Sequence, residues 1–370
     1  NLDLSKWLNN ANETNLSGYV LLDGELLNEE ISILDINVEV DESILFEREP
    51  SSISGGISYQ NKILNIVNPI ALTIGPSIVS INGRSDFNKR NLILDLSLTE
   101  ASTFLINNFW SDSLKDGNAT GSMRLFGPFS DLGINTELVI RNFQYDEINL
   151  EYFELSSELE NLNQVENGFI NVKFSNGTWK DYGFESGTGA FILKNDLIEI
   201  SSFELKNNDD FLQFNGVIDA DSVFLLDRFQ FAYRNHYLVN PKPIKIFFNE
   251  NYFETKPFEI HVDDGVFEGF VKNNPISGDL KFSNVTTDLL SLFSPEYSEK
   301  IKGNIFGEIS VKERLGQNEV NLNVNLKNGE IANQSFDEFE ILADFSEGIL
   351  DLKNIELIHG ENTRLQIEGI

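Results

Sequence analysis

Three stretches of the chain repeat one pattern: two alternating apolar pairs, then an apolar-x-apolar-x-Gly. The first runs Leu64-x-Ile66, Ile70-x-Leu72, Val79-x-Ile81-x-Gly83. The second runs Ile198-x-Ile200, Phe203-x-Leu205, Leu212-x-Phe214-x-Gly216. The third runs Leu350-x-Leu352, Ile355-x-Leu357, Leu365-x-Ile367-x-Gly369. Alternation has the period of a β-strand, so each stretch reads as a β-meander with one apolar face. An internal repeat decides architecture before any single residue does, and this one predicts an all-β, antiparallel repeat array.

Other strand signals agree. Val320-Asn321-Leu322-Asn323-Val324-Asn325-Leu326-Lys327 alternates strictly and runs into Asn328-Gly329, which predicts a hairpin turn. Asn176-Gly177, Asn215-Gly216 and Asp264-Gly265 predict further turns. Leu138 to Asn142 resembles Val324 to Asn328, each followed by a Phe-Glu strand at Phe153 or Phe339. Pro241-Lys242-Pro243 reads as a bulge or loop between strands.

Short helices are predicted at Leu4 to Asn10, Ala101 to Leu114 and Thr287 to Tyr297, the last capped by Thr287 or Asp288 and limited by Pro295. Each follows a strand and precedes a Gly-led strand opening at Gly18, Gly121 or Gly303. These anchors divide the chain into units 1–115, 116–299 and 300–370 of one continuous elongated domain. The second is lengthened by a Phe-rich block from Val223 to Val271.

Composition narrows the function. The net charge of −32 excludes nucleic acid, whose binding requires phosphates to be neutralised by Lys and Arg. It also argues against flat adsorption on an anionic membrane and implies a solvated acidic outer face. The aromatic content is 30 Phe against 9 Tyr and 3 Trp; Phe has no polar handle, so the excess points to wholly apolar surfaces. There is no cysteine, hence no disulfide and no thiolate metal site. No apolar run of about 20 residues and no signal peptide is legible. A chain that starts at Asn1 without Met and stops just after Gly369 is expected to be a piece of something longer.

Catalytic constellations are not predicted. His236, His261 and His359 share no metal-ligand spacing and read as surface or edge residues. Asp209-Asp210, Asp219-x-Asp221 and Asp263-Asp264 match no calcium loop and read as turn residues. Neither a nucleophile elbow nor a phosphate-cradling Gly loop is present. The expectation is a non-enzymatic protein with no metal or cofactor.

In the order of these elements the chain resembles the repeats of the TamB and AsmA-like proteins. The resemblance rests on Leu280 to Gly307, on Leu94 to Gly127, and on the thrice-repeated terminal strand ending in Gly. It implies a long, curved, open sheet, a β-taco or half-pipe with an apolar concave groove. Such proteins are anchored at the inner membrane, span the periplasm, and are linked to assembly of outer-membrane proteins and to phospholipid movement between the two membranes. Implied partners are phospholipid acyl chains, the inner membrane and an outer-membrane β-barrel of the assembly-factor family.

The expected groove lining is Leu64, Ile66, Val79, Ile81, Ile198, Ile200, Leu212, Phe214, Leu322, Val324, Leu326, Leu350, Leu352, Leu365 and Ile367. The alternative is a closed sandwich core that never meets lipid. Phe104, Leu105, Phe109, Trp110, Leu289, Leu290, Leu292 and Phe293 of the helices could cap the groove, or simply pack. Competing functions are a scaffold or chaperone for outer-membrane proteins, pairing client strands with a sheet edge, and a surface β-solenoid that binds polysaccharide. The irregular anchor spacing speaks against the solenoid.

Overall fold

A computed structural model describes residues 17–27, 30–45, 48–102, 114–162, 167–180, 182–234, 236–292, 300–314, 317–331, 333–360 and 363–368. The chain is all-β, with twenty-five strands in an antiparallel meander. The one helix among the described residues is a short 3-10 segment, Thr287–Leu292. The chain divides into two compact units, Asn1–Asp196 and Leu197–Ile370.

The first unit holds β1 (Gly18–Leu27), β2 (Glu30–Leu45), β3 (Arg48–Gln60), β4 (Ile63–Ile74), β5 (Ser77–Asp86), β6 (Asn91–Ser102), β7 (Leu114–Pro128), β8 (Gly133–Tyr145), β9 (Ile148–Glu160), β10 (Asn167–Trp179) and β11 (Tyr182–Lys194). Each pairs with the next. The second holds β12 (Leu197–Asn207), β13 (Asp210–Ile218), β14 (Val223–Tyr233), β15 (His236–Val239), β16 (Ile244–Asn249), β17 (Tyr252–Thr255), β18 (Phe258–Val262), β19 (Gly265–Asn273), β20 (Ile276–Thr286), β21 (Ile301–Arg314), β22 (Gln317–Ile331), β23 (Gln334–Ser346), β24 (Ile349–His359) and β25 (Thr363–Glu368).

The three sequence repeats are three hairpins: β4–β5, β12–β13 and β24–β25. Their registers coincide. Ile70 faces Ile81 and Leu72 faces Val79. Phe203 faces Phe214 and Leu205 faces Leu212. Ile355 faces Ile367 and Leu357 faces Leu365. The break between the two apolar pairs of each first strand is a register shift, which returns the second pair to the face of the first.

Three of the four predicted Asn-Gly or Asp-Gly turns lie inside strands instead. Asn176-Gly177 is within β10, Asn215-Gly216 within β13 and Asn328-Gly329 within β22. Asn176 and Asn328 have left-handed φ of 50° and 49°, which Asn tolerates at little cost. The register slips at Asn215/Gly216 against β14, and near Asn328 against β21. A dipeptide suited to a tight turn serves equally well to kink a long strand, and register decides between the two. Asn142 in β8 has the same φ class, 54°, in keeping with the resemblance between its segment and that of Asn328. Asp264-Gly265 does follow a reversal, between β18 and β19.

The helix expectations fare unevenly. Leu4 to Asn10 lies outside the described residues. The 101–114 segment is strand at both ends: Ala101 pairs with Ala119 in the β6–β7 ladder and Leu114 opens β7. Residues 103–113, with Phe104, Leu105, Phe109 and Trp110, lie outside the described residues. The third segment is helical only as the 3-10 turn Thr287–Leu292, and 293–299 again lie outside.

The meander departs from simple order once, in the Phe-rich block. The C-terminal half of β14 pairs with β15, and its N-terminal half with β16. β15 continues to β18, β16 to β17, and both branches meet β19. The sheet is therefore forked into two short ladders. Asn240, before Pro241-Lys242-Pro243, closes the fork and is buried. Its Oδ1 accepts the Phe229 N–H at 2.5 Å, and its Nδ2 donates to the carbonyls of Asp227 at 3.1 Å and Lys242 at 2.9 Å. On the other branch Thr255 Oγ1 accepts the Val271 N–H at 2.9 Å. These side chains satisfy backbone groups that the interrupted ladders leave without a strand partner. Asn240→Ala orphans several backbone groups, each worth about 1–3 kcal/mol when buried. Urea unfolding followed by circular dichroism should show a loss of at least about 2 kcal/mol, with Thr255→Val costing less.

Candidate functional site: an apolar sheet face

Directly opposed residues of an antiparallel pair share a face, so the registers define rows across each unit. In the first unit one row runs through all eleven strands: Gly18, Val40, Ile53, Leu72, Val79, Leu98, Gly121, Leu138, Leu155, Val172 and Gly189. Every member is apolar or glycine. A neighbouring row passes through Ile81, Leu96 and Met123. On the opposite face a polar row runs through Ser80, Ser97, Ser122, Glu137, Ser156 and Asn171, with Ile93, Phe169 and Ile192 exposed beside it.

The second unit has the same construction. Ile260, Phe267, Phe282, Gly307, Val324, Ile341, Ile355 and Ile367 form a row through β18 to β25. Leu205, Leu212, Phe231, Leu238 and Val262 carry the face through β12 to β15 and β18.

All fifteen candidate residues fall on the apolar face of their unit. Leu64 pairs with Tyr59, and Ile66 with Ile57, beside Val79 and Ile81. Ile198, Ile200, Leu212 and Phe214 lie together on β12 and β13. Leu322, Val324, Leu326, Leu350, Leu352, Leu365 and Ile367 continue across β22, β24 and β25. Ile200 and Leu326 are buried, whereas Leu350, Leu365 and Ile367 are more than half exposed. Sequence reasoning left out Leu96, Leu98, Leu138, Leu155 and Val172, whose alternation was legible. It also left out the row glycines, which only register reveals.

The face is half-covered rather than buried. Leu92, Leu94, Leu96 and Leu98 on β6 are all intermediate in exposure while their polar alternates are exposed. Sixteen apolar residues among the described ones are buried. An apolar concavity of about 500 Å³ opens on the first unit, lined by Ile31, Leu34, Ile36, Ile57, Tyr59 and Leu64.

The abundant phenylalanines fit this openness because several lie against glycine. A Cβ at Gly187 would sit 2.1 Å from the Phe174 ring, and one at Gly177 would sit 2.4 Å from Phe184. Phe336 covers Gly329 in the same way. A ring laid over a glycine adds apolar area without standing up from the sheet. In the long row, Gly121 has φ 153° and lies against the Glu137 carbonyl, where a Cβ would come within 2.0 Å.

The charged groups do local work on the polar side and in turns. Asp210 accepts the Arg234 N–H and Asp219 the Val223 N–H, both at 2.9 Å, which is the turn duty expected of these acid clusters. Hydrogen bonds from Lys256 and then Tyr252 hold the Glu254 carboxyl below its ordinary range. His261 does the same for Glu259. Among the described residues no three His, Asp or Glu side chains are grouped to hold a metal, and no helix is long and apolar enough to cross a membrane.

Gly187→Val should lift Phe174 off the sheet and destabilise the first unit by about 1–3 kcal/mol. The measurement is thermal unfolding beside Gly183→Val, where a side chain meets open space and should cost less.

Comparison with protein-family models, with curated proteins and with solved structures finds no match to this chain.

Proposed function

We propose that this chain is a non-enzymatic lipid-conduit segment, of the kind found in TamB and AsmA-like proteins, whose apolar sheet faces carry phospholipid acyl chains across a periplasm between inner and outer membranes. The single observation that supports this reading is the unbroken apolar row through eleven strands of the first unit. Each buried methylene contributes about 0.8 kcal/mol. A tail of about fifteen methylenes, half covered, therefore gains about 6 kcal/mol. That gain has no direction and no sequence-specific stop, so a tail can slide from row to row. The headgroup would remain in water at the rim.

Native mass spectrometry of the purified chain, with lipid extraction, tests the reading. Stoichiometric phospholipid is expected. Val324→Asp with Ile367→Glu should lower bound lipid at least about tenfold, because an unpaired carboxylate resists transfer under hydrocarbon. The β-sheet circular dichroism should persist, since Ile367 is half exposed. A lipid-free preparation, or a folded double variant with undiminished lipid, overturns the conduit.

A further inference from the structure

We propose that Thr287–Leu289 is a releasable strap that occupies the apolar face of the second unit where an acyl chain would lie, latched through Asp288 by His236. The proposal rests on the conduit reading and adds a control element to it.

Three observations carry it. First, Leu289 does not belong to the sheet, yet it is buried on the apolar face. It clusters with Val262 and Val285, against Leu238, Ile260, Phe267 and Phe282. These are members of the rows described above, so a 3-10 turn of the chain itself covers the face at this point. Second, the turn is tied down by one contact that bridges elements. His236 Nδ1 lies 2.7 Å from Asp263 Oδ2, and Nε2 lies 3.6 Å from Asp288 Oδ2. Asp263 is itself fixed by the Tyr237 N–H at 2.9 Å. The imidazole is thus anchored to the sheet on one side and holds the strap on the other. The Asp288 side chain is 58% exposed, so water can compete for it. Third, Thr287 is fully buried while its Oγ1 has no hydrogen-bond partner. A buried hydroxyl without a partner penalises the docked position and is relieved on release. Apolar burial and the His236–Asp288 contact, an ion pair when the imidazole is protonated, therefore hold the strap, and an unsatisfied hydroxyl opposes them. That balance suits a segment that gives way to a ligand with the same chemistry as Leu289.

The absence of native cysteine makes the test direct. Leu289→Cys would be the only thiol, and its maleimide labelling rate reads exposure of the strap. Ala343→Cys, at a position 2% exposed on the same unit, is the control for general unfolding. Asp288→Asn and His236→Gln should each speed labelling at position 289 at least about fivefold and leave position 343 unchanged. A short-chain phosphatidylcholine, added below its micelle concentration, should speed labelling at 289 without either substitution. Equal acceleration at both positions, or none at 289, overturns the latch. Lipid uptake by mass spectrometry with labelling at 289 unchanged overturns the strap and leaves the conduit standing. Failure to take up lipid at all overturns the conduit, and the strap's role with it, even where Asp288→Asn frees Leu289.

Discussion

Cross-strand register is the constraint on which the rest depends. In an antiparallel ladder side chains alternate with period two, so a slip of one residue exchanges the two faces of a strand. The row from Gly18 to Gly189 survives ten successive pairings without one polar side chain. Each hairpin therefore closes in the one register that keeps its apolar set with that of its neighbour. Short reversals help to fix it, such as Asn61-Lys62 between β3 and β4 with φ of 53° and 61°.

Strands of thirteen to sixteen residues, such as β2, β3 and β22, exceed ordinary strand length. They need local relief from accumulated twist, and relief threatens register. The chain answers with single register shifts. β12 shifts between Ile200 and Phe203, across Ser201-Ser202, and its apolar set returns to the same face. β20 does so between Phe282 and Val285, where Asn284 supplies a left-handed φ of 59°. Glycine leaves room for rings to lie flat, as Phe174 does over Gly187.

A sheet with a half-covered apolar face has little deep core to hold it. Its stability comes from neighbour-to-neighbour pairing, as in other repeat architectures. The fork between β14 and β19 is costly in such a design because it interrupts that pairing, and Asn240 restores the lost backbone hydrogen bonds from a side chain. The 3-10 turn at Thr287 marks the other local exception, where chain rather than solvent lies on the apolar face. The open face elsewhere is the physical basis of the conduit proposal, and the polar row opposite it supplies hydration.

Periodicity alone determined the all-β class, the antiparallel meander and the side of each strand that is apolar. All fifteen candidate residues fell on that side because alternation is a local property of sequence. The helices were less legible: the cap pattern at Thr287 yields only a 3-10 turn, and Ala101, where a helix was expected to begin, pairs with Ala119 in the β6–β7 ladder. Tertiary structure alone decided three things. Asn328-Gly329 kinks a strand instead of turning it, because both conformations use the same left-handed backbone and only the neighbouring ladders discriminate. The glycines at 121 and 189 join an apolar row, because membership depends on what lies opposite. His236 meets Asp263 and Asp288, and Asn240 meets Asp227 and Phe229, and no spacing in the sequence brings those residues together.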